Sequence, residues 1–332
     1  MTRVSQPAPE EAPAEATVSP STAVLALGGN ALIKPGQQGS IDEQLANIRS
    51  SLRGILDLLE RGWTVLLTHG NGPQVGQMLL MVEAARGRVP ELPLGVCVAD
   101  TEGALGYLLQ QTIINGLHAR RLWRNVVTLI TQVLVDAADP AFQHATKPIG
   151  PYLRRDEAAA FEQRRGWQFV EAPGRGWRRV VPSPRPRAII ERESIRRLLL
   201  GGDVVIAVGG GGIPVRELAD GSLEGVDAVI DKDLASSLVA REIGATHLAM
   251  LTGEERAYLD YGTPAQRGLG ELRADQAQAY LEAGHFPAGS MGPKVEAAIE
   301  FVRGGGRCAV ITGLGGLPEA LWDARAATLI RP

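Results

Sequence analysis

The sequence predicts an α/β fold in which a largely parallel sheet carries helices on both faces and a small subdomain is inserted. Three observations predict it. Apolar strand-like runs alternate with helix-period segments along most of the chain. Three of those runs end in glycine-rich turns: residues 23–27 before Gly28, Gly29 and Asn30, residues 64–67 before the turn containing Gly70, Asn71 and Gly72, and residues 204–208 before Gly209, Gly210, Gly211 and Gly212. Between Asp136 and Arg187 the alternation breaks, and Pro140, Pro148, Pro151, Pro173, Pro182, Pro184 and Pro186 interrupt short segments rich in arginine and tryptophan.

Each element has its own signal. After the first strand, Ile41, Leu45, Ile48, Leu52, Ile55, Leu56 and Leu59 recur at three- and four-residue steps, which marks one apolar helix face, and Gly62 closes it. Residues 64–68 read as a buried strand, 69–73 as a turn and 74–86 as a helix. A third helix is expected over 100–117 and a strand over 126–135. After the insert at about 136–187 the rhythm returns, with helices over 191–200, 232–243 and 293–302 and strands over 204–208, 247–251 and 308–312. Residues 1–20, rich in Pro, Ala, Glu and Ser, have too few large apolar groups to offset ordering entropy and read as a disordered tail.

Composition narrows the partners. The 332 residues can bury a substantial core, and 34 basic residues nearly balance 37 acidic ones, so overall charge implies neither a nucleic acid nor an anionic membrane. A small molecule is the expected partner. Cys97 and Cys308 form no CxxC pair, so neither a disulfide framework nor a structural zinc site is supported. No membrane-length apolar run or signal pattern is visible, which leads to the expectation of a cytoplasmic protein.

Glycine turns at strand ends leave bare N–H groups that cradle anions, and three together suggest a polyphosphate track. Phosphoryl transfer further requires cations to neutralise developing charge. Lys232 and Asp233 stand at a predicted helix start, where they could bind and orient a phosphate or simply form a solvated first turn capped by Asp231. Lys294 follows Pro293, the expected first helical residue, and its charge opposes the helix dipole there, a placement that makes sense beside an anion. Lys147, in the insert, could descend over the site or be an ordinary surface lysine. Asn30 and Asn71 could donate to phosphate oxygens or cap their turns. His69 has no nucleophile or carboxylate at a telling spacing and reads as structural, the arginines at 178–179 and 185–187 read as a solvated loop, and no turn matches GxxxxGK[ST].

The motifs Ala26-Leu-Gly-Gly-Asn-Ala-Leu32, Thr68-His-Gly-Asn-Gly-Pro-Gln-Val-Gly76, Asp139-Pro-Ala-Phe142, Thr146-Lys-Pro-Ile-Gly150, Arg178-Arg-Val-Val-Pro-Ser-Pro184, Gly209-Gly-Gly-Gly-Ile-Pro-Val215, Val229-Ile-Asp-Lys-Asp-Leu234 and His285-Phe-Pro-Ala-Gly-Ser-Met-Gly-Pro-Lys294 together carry a resemblance. Over residues 22–325 the chain resembles the carbamate kinases of the amino acid kinase superfamily. The resemblance implies a three-layer αβα sandwich with a mainly parallel open sheet, usually dimeric, that transfers a phosphoryl group between ATP and carbamate with Mg²⁺. It implies an N-terminal lobe, residues 21–220, for the phosphoryl acceptor and a C-terminal lobe, residues 221–332, for nucleotide.

By the same resemblance, Lys147 contacts the carbamoyl side, Lys232 and Lys294 hold the transferring phosphoryl group, and Asp233 orients the lysines. Gly28, Gly29, Asn30, Gly70, Asn71 and Gly72 would line the carbamate and phosphate pocket with Gly210 and Gly211, and Thr252, Gly253, Met291 and Lys294 would meet the nucleotide.

Three departures stand out. Gly95-Val-Cys-Val-Ala-Asp-Thr-Glu-Gly103 replaces the family's Asp-Val-Cys-Gly-Ala-Met-Ser-Gln-Gly, Leu251-Thr-Gly-Glu254 replaces Leu-Thr-Asp-Val, and Ala327-Thr328 replaces Gly-Thr. Glu102 is expected to bring negative charge close to the anion pocket, which motivates an alternative acceptor, a different small carboxylate or carbamate-like molecule, and would favour one bearing a cationic group. Gly253 and Glu254 motivate a further rival, a silent homologue that binds a metabolite or partner protein.

Overall fold

Side chains of the first strand, β1 (Thr22–Leu27), alternate between two cores and so set the layering. Ala23, Leu25 and Leu27 pack with Ile48, Leu52 and Ile55 of α1 (Ile41–Glu60) and with Leu105, Leu109 and Ile113 of α3 (Leu94–Ala119). Val24 and Ala26 face the opposite way, against Val239 of α6 (Lys232–Glu242) and Val295 and Phe301 of α8 (Met291–Arg303). The sheet is therefore covered on both faces, the expected three-layer αβα arrangement. The computed structural model describes residues 21–29, 32–34, 36–287, 289–314, 317, 321 and 323–332; the expected tail at 1–20 and the site candidate Asn30 lie outside the described residues.

The large sheet has eight strands in the order β15-β17-β16-β12-β1-β2-β9-β3, where β2 is Thr64–His69, β3 Val126–Thr128, β9 Val204–Ile206, β12 His247–Thr252, β15 Glu271–Arg273, β16 Cys308–Gly313 and β17 Thr328–Arg331. From β16 to β3 every neighbouring pair is parallel; β17 pairs antiparallel with β16, and β15 at the edge pairs parallel with β17. The chain leaves β1 towards β2 on one side and later adds β12 on the other. The crevice beyond the C-terminal ends of β1 and β12 is thus a topological switch point, where open α/β sheets place ligands.

Smaller sheets flank this one. The strands β4 (Gln132–Val135), β8 (Pro186–Ile189), β10 (Ile213–Glu217) and β11 (Leu223–Gly225) pair in the order β11-β10-β4-β8. The segment β5 (Lys147–Leu153), β6 (Gln168–Ala172) and β7 (Gly176–Val181) forms a separate antiparallel sheet with α4 (Arg155–Arg165). A two-residue pair, β13 (Tyr258–Leu259) with β14 (Arg267–Gly268), stands near the end of β12. The remaining helices are α2 (Gly72–Ala84), α5 (Arg192–Leu200) and α7 (Ala274–Glu282).

Local chemistry explains the boundaries. Ser40 and Glu43 form a reciprocal capping box at the head of α1, whose N–H donors would otherwise be orphaned, and Gly62 takes φ +83° just beyond its end. The expected single strand over 126–135 is divided: β3 belongs to the large sheet and β4 to another. The chain changes sheets at Thr131, whose carbonyl accepts from Ile213 N and whose Oγ1 accepts from Val208 N. The helix expected from residue 100 starts at Leu94, where Asp227 Oδ1 accepts the Leu94 N–H. Similarly, α8 starts at Met291 and puts Pro293 third, a first-turn position where its missing N–H leaves no bond unmade.

Candidate active site

A cavity of about 450 Å³ opens at the switch point. Strand ends supply one wall: Gly28 and Gly29 after β1, Gly70 and Asn71 after β2, Gly210 after β9 and Thr252 at the end of β12. Three helices begin at the same place, with Gly72, Lys232 and Met291 as the first residues of α2, α6 and α8. Helix N-termini carry unpaired N–H groups and partial positive charge, so their convergence makes an anion site before any side chain is considered.

Lysines add to it. Asp233, 4% exposed, accepts from Lys232 Nζ at 2.6 Å through one carboxylate oxygen and from Lys294 Nζ at 2.7 Å through the other. Burial alone would raise the Asp233 pKa, but the two ammonium groups outweigh it and hold the carboxyl well below the usual range. Burial pulls the Lys232 pKa down, Asp233 opposes that and the Lys294 charge adds to it. For Lys294 burial also lowers, yet Asp233 more than offsets it and the pKa is raised. The cluster keeps a net positive charge facing the cavity.

Asp231 caps α6 by accepting from Asp233 N at 2.9 Å, and its other oxygen accepts from Lys147 Nζ at 2.5 Å. Lys147 is the first residue of β5, so this ion pair ties the small antiparallel sheet to the head of α6. Its placement depends on a backbone contact: a Cβ on Gly76 of α2 would stand 1.8 Å from Gly150 Cα in β5, so only glycine lets the two segments meet. Arg178 of β7 also lines the cavity and donates from Nε to the Gly150 carbonyl. At this end four cations face two aspartates.

Of the expected site residues, Gly28, Gly29, Gly70, Asn71, Gly72, Lys147, Gly210, Lys232, Asp233, Thr252, Gly253, Met291 and Lys294 all line this one cavity. Gly211 does not line it. At φ +98° its missing Cβ would meet the Ile230 carbonyl at 2.6 Å, so it serves the backbone path behind the wall. Asn71 neither caps α2 nor offers its amide freely, because Nδ2 donates to Thr101 Oγ1 at 3.0 Å. Gly210, at φ +69°, lies against that amide, where a Cβ would be 2.1 Å from Nδ2. His69 lies outside the lining, wholly buried, with its pKa lowered to about 4 chiefly by burial, which fits its reading as structural.

The departures resolve differently. Glu102 does not reach the cavity: it is 1% exposed and its carboxyl accepts from Gly209 N at 2.8 Å and Thr131 N at 3.3 Å. Burial raises its pKa to about 8 despite those bonds, so the expected negative charge beside an anion is corrected. Gly253 and Glu254 do line the cavity, together with Tyr258 and Tyr261, and Tyr261 OH donates to Glu254 Oε1 at 2.8 Å. Sequence reasoning missed Arg178, Tyr258 and Tyr261, and read Asp231 only as a cap.

The amino acid kinase family model matches residues 21–313. The chain belongs to the amino acid kinase family. It is 46% identical to a carbamate kinase of Pyrococcus horikoshii over 94% of this chain and all of that one. It is 45% identical to an Escherichia coli carbamate kinase-like protein over 93% of this chain and 98% of that one. Among solved structures, carbamate kinase from Giardia lamblia bound to AMP-PNP superposes with a TM-score of 0.86 at 42% identity, covering 94% of this chain and 98% of that one.

Proposed function

We propose that this protein catalyses reversible phosphoryl transfer between ATP and carbamate, forming or consuming carbamoyl phosphate. The observation that carries the reading is the Lys232–Asp233–Lys294 cluster standing over glycine turns and three helix N-termini in one cavity. In the forward direction a carbamate oxygen attacks the γ-phosphorus and the bond to the ADP oxygen breaks; the reverse step returns the phosphoryl group to ADP. Carbamate is already anionic, so the step asks for alignment and charge neutralisation rather than for a base.

Within this reading Lys232 and Lys294 hold the phosphoryl oxygens while Asp233 fixes both ammonium groups. The bare amides at Gly28, Gly29, Gly70, Gly72 and Gly210 receive acceptor and phosphate oxygens, and Lys147 closes on the carbamoyl side with Arg178 beside it. Thr252, Gly253 and Met291 form the nucleotide end with Tyr258 and Tyr261. Mg²⁺ would neutralise charge on the nucleotide phosphates. The two aspartates at the cavity are held by lysines, and among the described residues no group of three His, Cys, Asp or Glu could hold a metal, so the ion is assigned to the nucleotide.

The lobes at 21–220 and 221–332, the mobile character of the insert, a homodimer and a cytoplasmic location belong to the same proposal. No helix of the described residues is long and apolar enough to cross a membrane. The proposal of a cation-bearing acceptor loses its motive, because Glu102 is not at the cavity. The test is ATP formation from carbamoyl phosphate and ADP with Mg²⁺, beside a Lys294→Ala control. Activity no greater than that of the control rejects the reading, and an acceptor panel then separates another acceptor from a silent homologue.

A further inference from the structure

Two adjacent residues of α3 hold two of the three glycine turns. Thr101 Oγ1 accepts from Asn71 Nδ2 in the turn after β2, and Glu102 accepts from Gly209 N in the turn after β9. Thr101 is anchored in turn by donating to the Cys97 and Val98 carbonyls. The space between the turns is full: a Cβ on Gly209 would lie 2.5 Å from His69 Nε2 and 2.7 Å from Glu102 Cγ. His69 is wholly buried and its Nε2 has no hydrogen-bond partner among the described residues.

We propose that Thr101 and Glu102 are positioning residues for the phosphate cradle, and that Glu102 works there as an un-ionised acid. The inference rests on the phosphotransferase reading above. The titratable groups around Glu102 are Glu191, which precedes α5 and is committed to Gln132, and His69, at the end of β2, whose ring borders the same Gly209 position as the Glu102 side chain. Neither supplies the cation a buried carboxylate needs. Glu102 is 1% exposed and its carboxyl meets two backbone N–H groups, Gly209 N and Thr131 N, with no cation against it among the described residues, so the un-ionised form is the one this site holds at least cost. Burial, with the Lys232 charge adding to it, keeps the His69 imidazole neutral, so both side chains stay uncharged behind a cavity built for anions.

The sign of the pH dependence follows. Burial raises the Glu102 pKa to about 8, far above its unfolded value, so the stabilisation is complete below the ordinary carboxyl range, declines as pH rises and is gone once pH passes about 8. The experiment compares wild type with Glu102→Gln, a neutral isostere, in two measurements.

The first is the melting temperature from pH 5 to 9, which needs no substrate. The advantage of Glu102→Gln should grow from pH 5 to about 8 and then level off; a constant difference, or failure of the variant to fold, overturns the proposal. The second is kcat/KM for carbamoyl phosphate and ADP. Wild-type activity should fall about tenfold by one pH unit above the Glu102 pKa, an alkaline limb that the variant lacks. An identical limb in both proteins overturns the positioning role. Absence of turnover at every pH would instead reject the functional reading and leave the melting result to decide the ionisation.

Discussion

Two aspartates stand two residues apart at the head of α6, and their surroundings differ. Asp233 is 5% exposed in its side chain and gives both oxygens to lysines from α6 and α8, helices that pack on the same face of the large sheet. Asp231 divides itself between capping α6 and Lys147, whose side chain is 29% exposed and which belongs to a separate antiparallel sheet. Water competes for the second pair and scarcely for the first. The contrast assigns fixed geometry to Lys232 and Lys294 and a bond that can be exchanged for a substrate oxygen to Lys147.

The largest effect should come from breaking the fixed cluster at its centre. Asp233→Ala leaves two buried ammonium groups unpaired, so denaturant unfolding should show a loss of about 3–5 kcal/mol, with phosphoryl transfer abolished. In wild type the contribution is fully present above the unfolded Asp pKa of about 4 and is lost as pH falls towards the depressed folded value. Acid unfolding followed by circular dichroism should therefore begin at higher pH in a variant lacking this carboxylate only if other groups carry the acid transition. With Asp233 dominant, the variant's stability is flatter with pH below 4.

Next in size are the cations themselves. Lys294→Ala and Lys232→Ala each remove one charge-assisted donor from the transferring group, so kcat should fall about 10²–10³-fold with folding retained. A double variant should lose less than the product of the two, because Asp233 couples them. Steady-state kinetics of all three proteins checks this.

How much of this was legible beforehand follows from range. The strand ends and the lysines at 232 and 294 are local patterns: an apolar run followed by glycine, or a lysine in a helix's first turn. The division of residues 126–135 between two sheets was not, since it depends on Thr131 meeting Ile213 and Val208 across the fold. In sequence Arg178 reads as solvated because arginines among prolines look like loop, and its approach to Gly150 is a pairing of distant strands. Tyr258 sits in a two-residue strand too short to show a period. Glu102 did leave a signal: a carboxylate amid the apolar residues of α3 is either misplaced or protected, and proximity in sequence could not tell which.

Lys147→Ala sharpens the comparison at intermediate size. Loss of this partly exposed ion pair should cost about 1 kcal/mol in stability, while KM for carbamoyl phosphate rises and kcat falls. Raised salt should loosen this pair and leave the Asp233 cluster unaffected. Gly76→Ala reaches the same lysine indirectly: an added methyl would push β5 from α2, costing about 1–3 kcal/mol and reproducing the Lys147 kinetic defect. If its kinetics match wild type, β5 placement is not what sets Lys147.

The smallest expected effect lies at the opposite end of the cavity, where there is no lysine to fix the geometry. Tyr261 is half exposed and its hydroxyl donates to Glu254, so the pair orders the rim without carrying charge to the reacting atoms. Tyr261→Phe deletes one hydrogen bond worth about 1 kcal/mol, roughly fivefold in affinity, and keeps the ring. KM for ADP should rise by that factor with kcat unchanged, because an interaction equal in ground and transition states alters binding alone. A fall in kcat instead would mean that the rim helps to align the phosphoryl group, and the division between a catalytic and a binding end of the cavity would not hold.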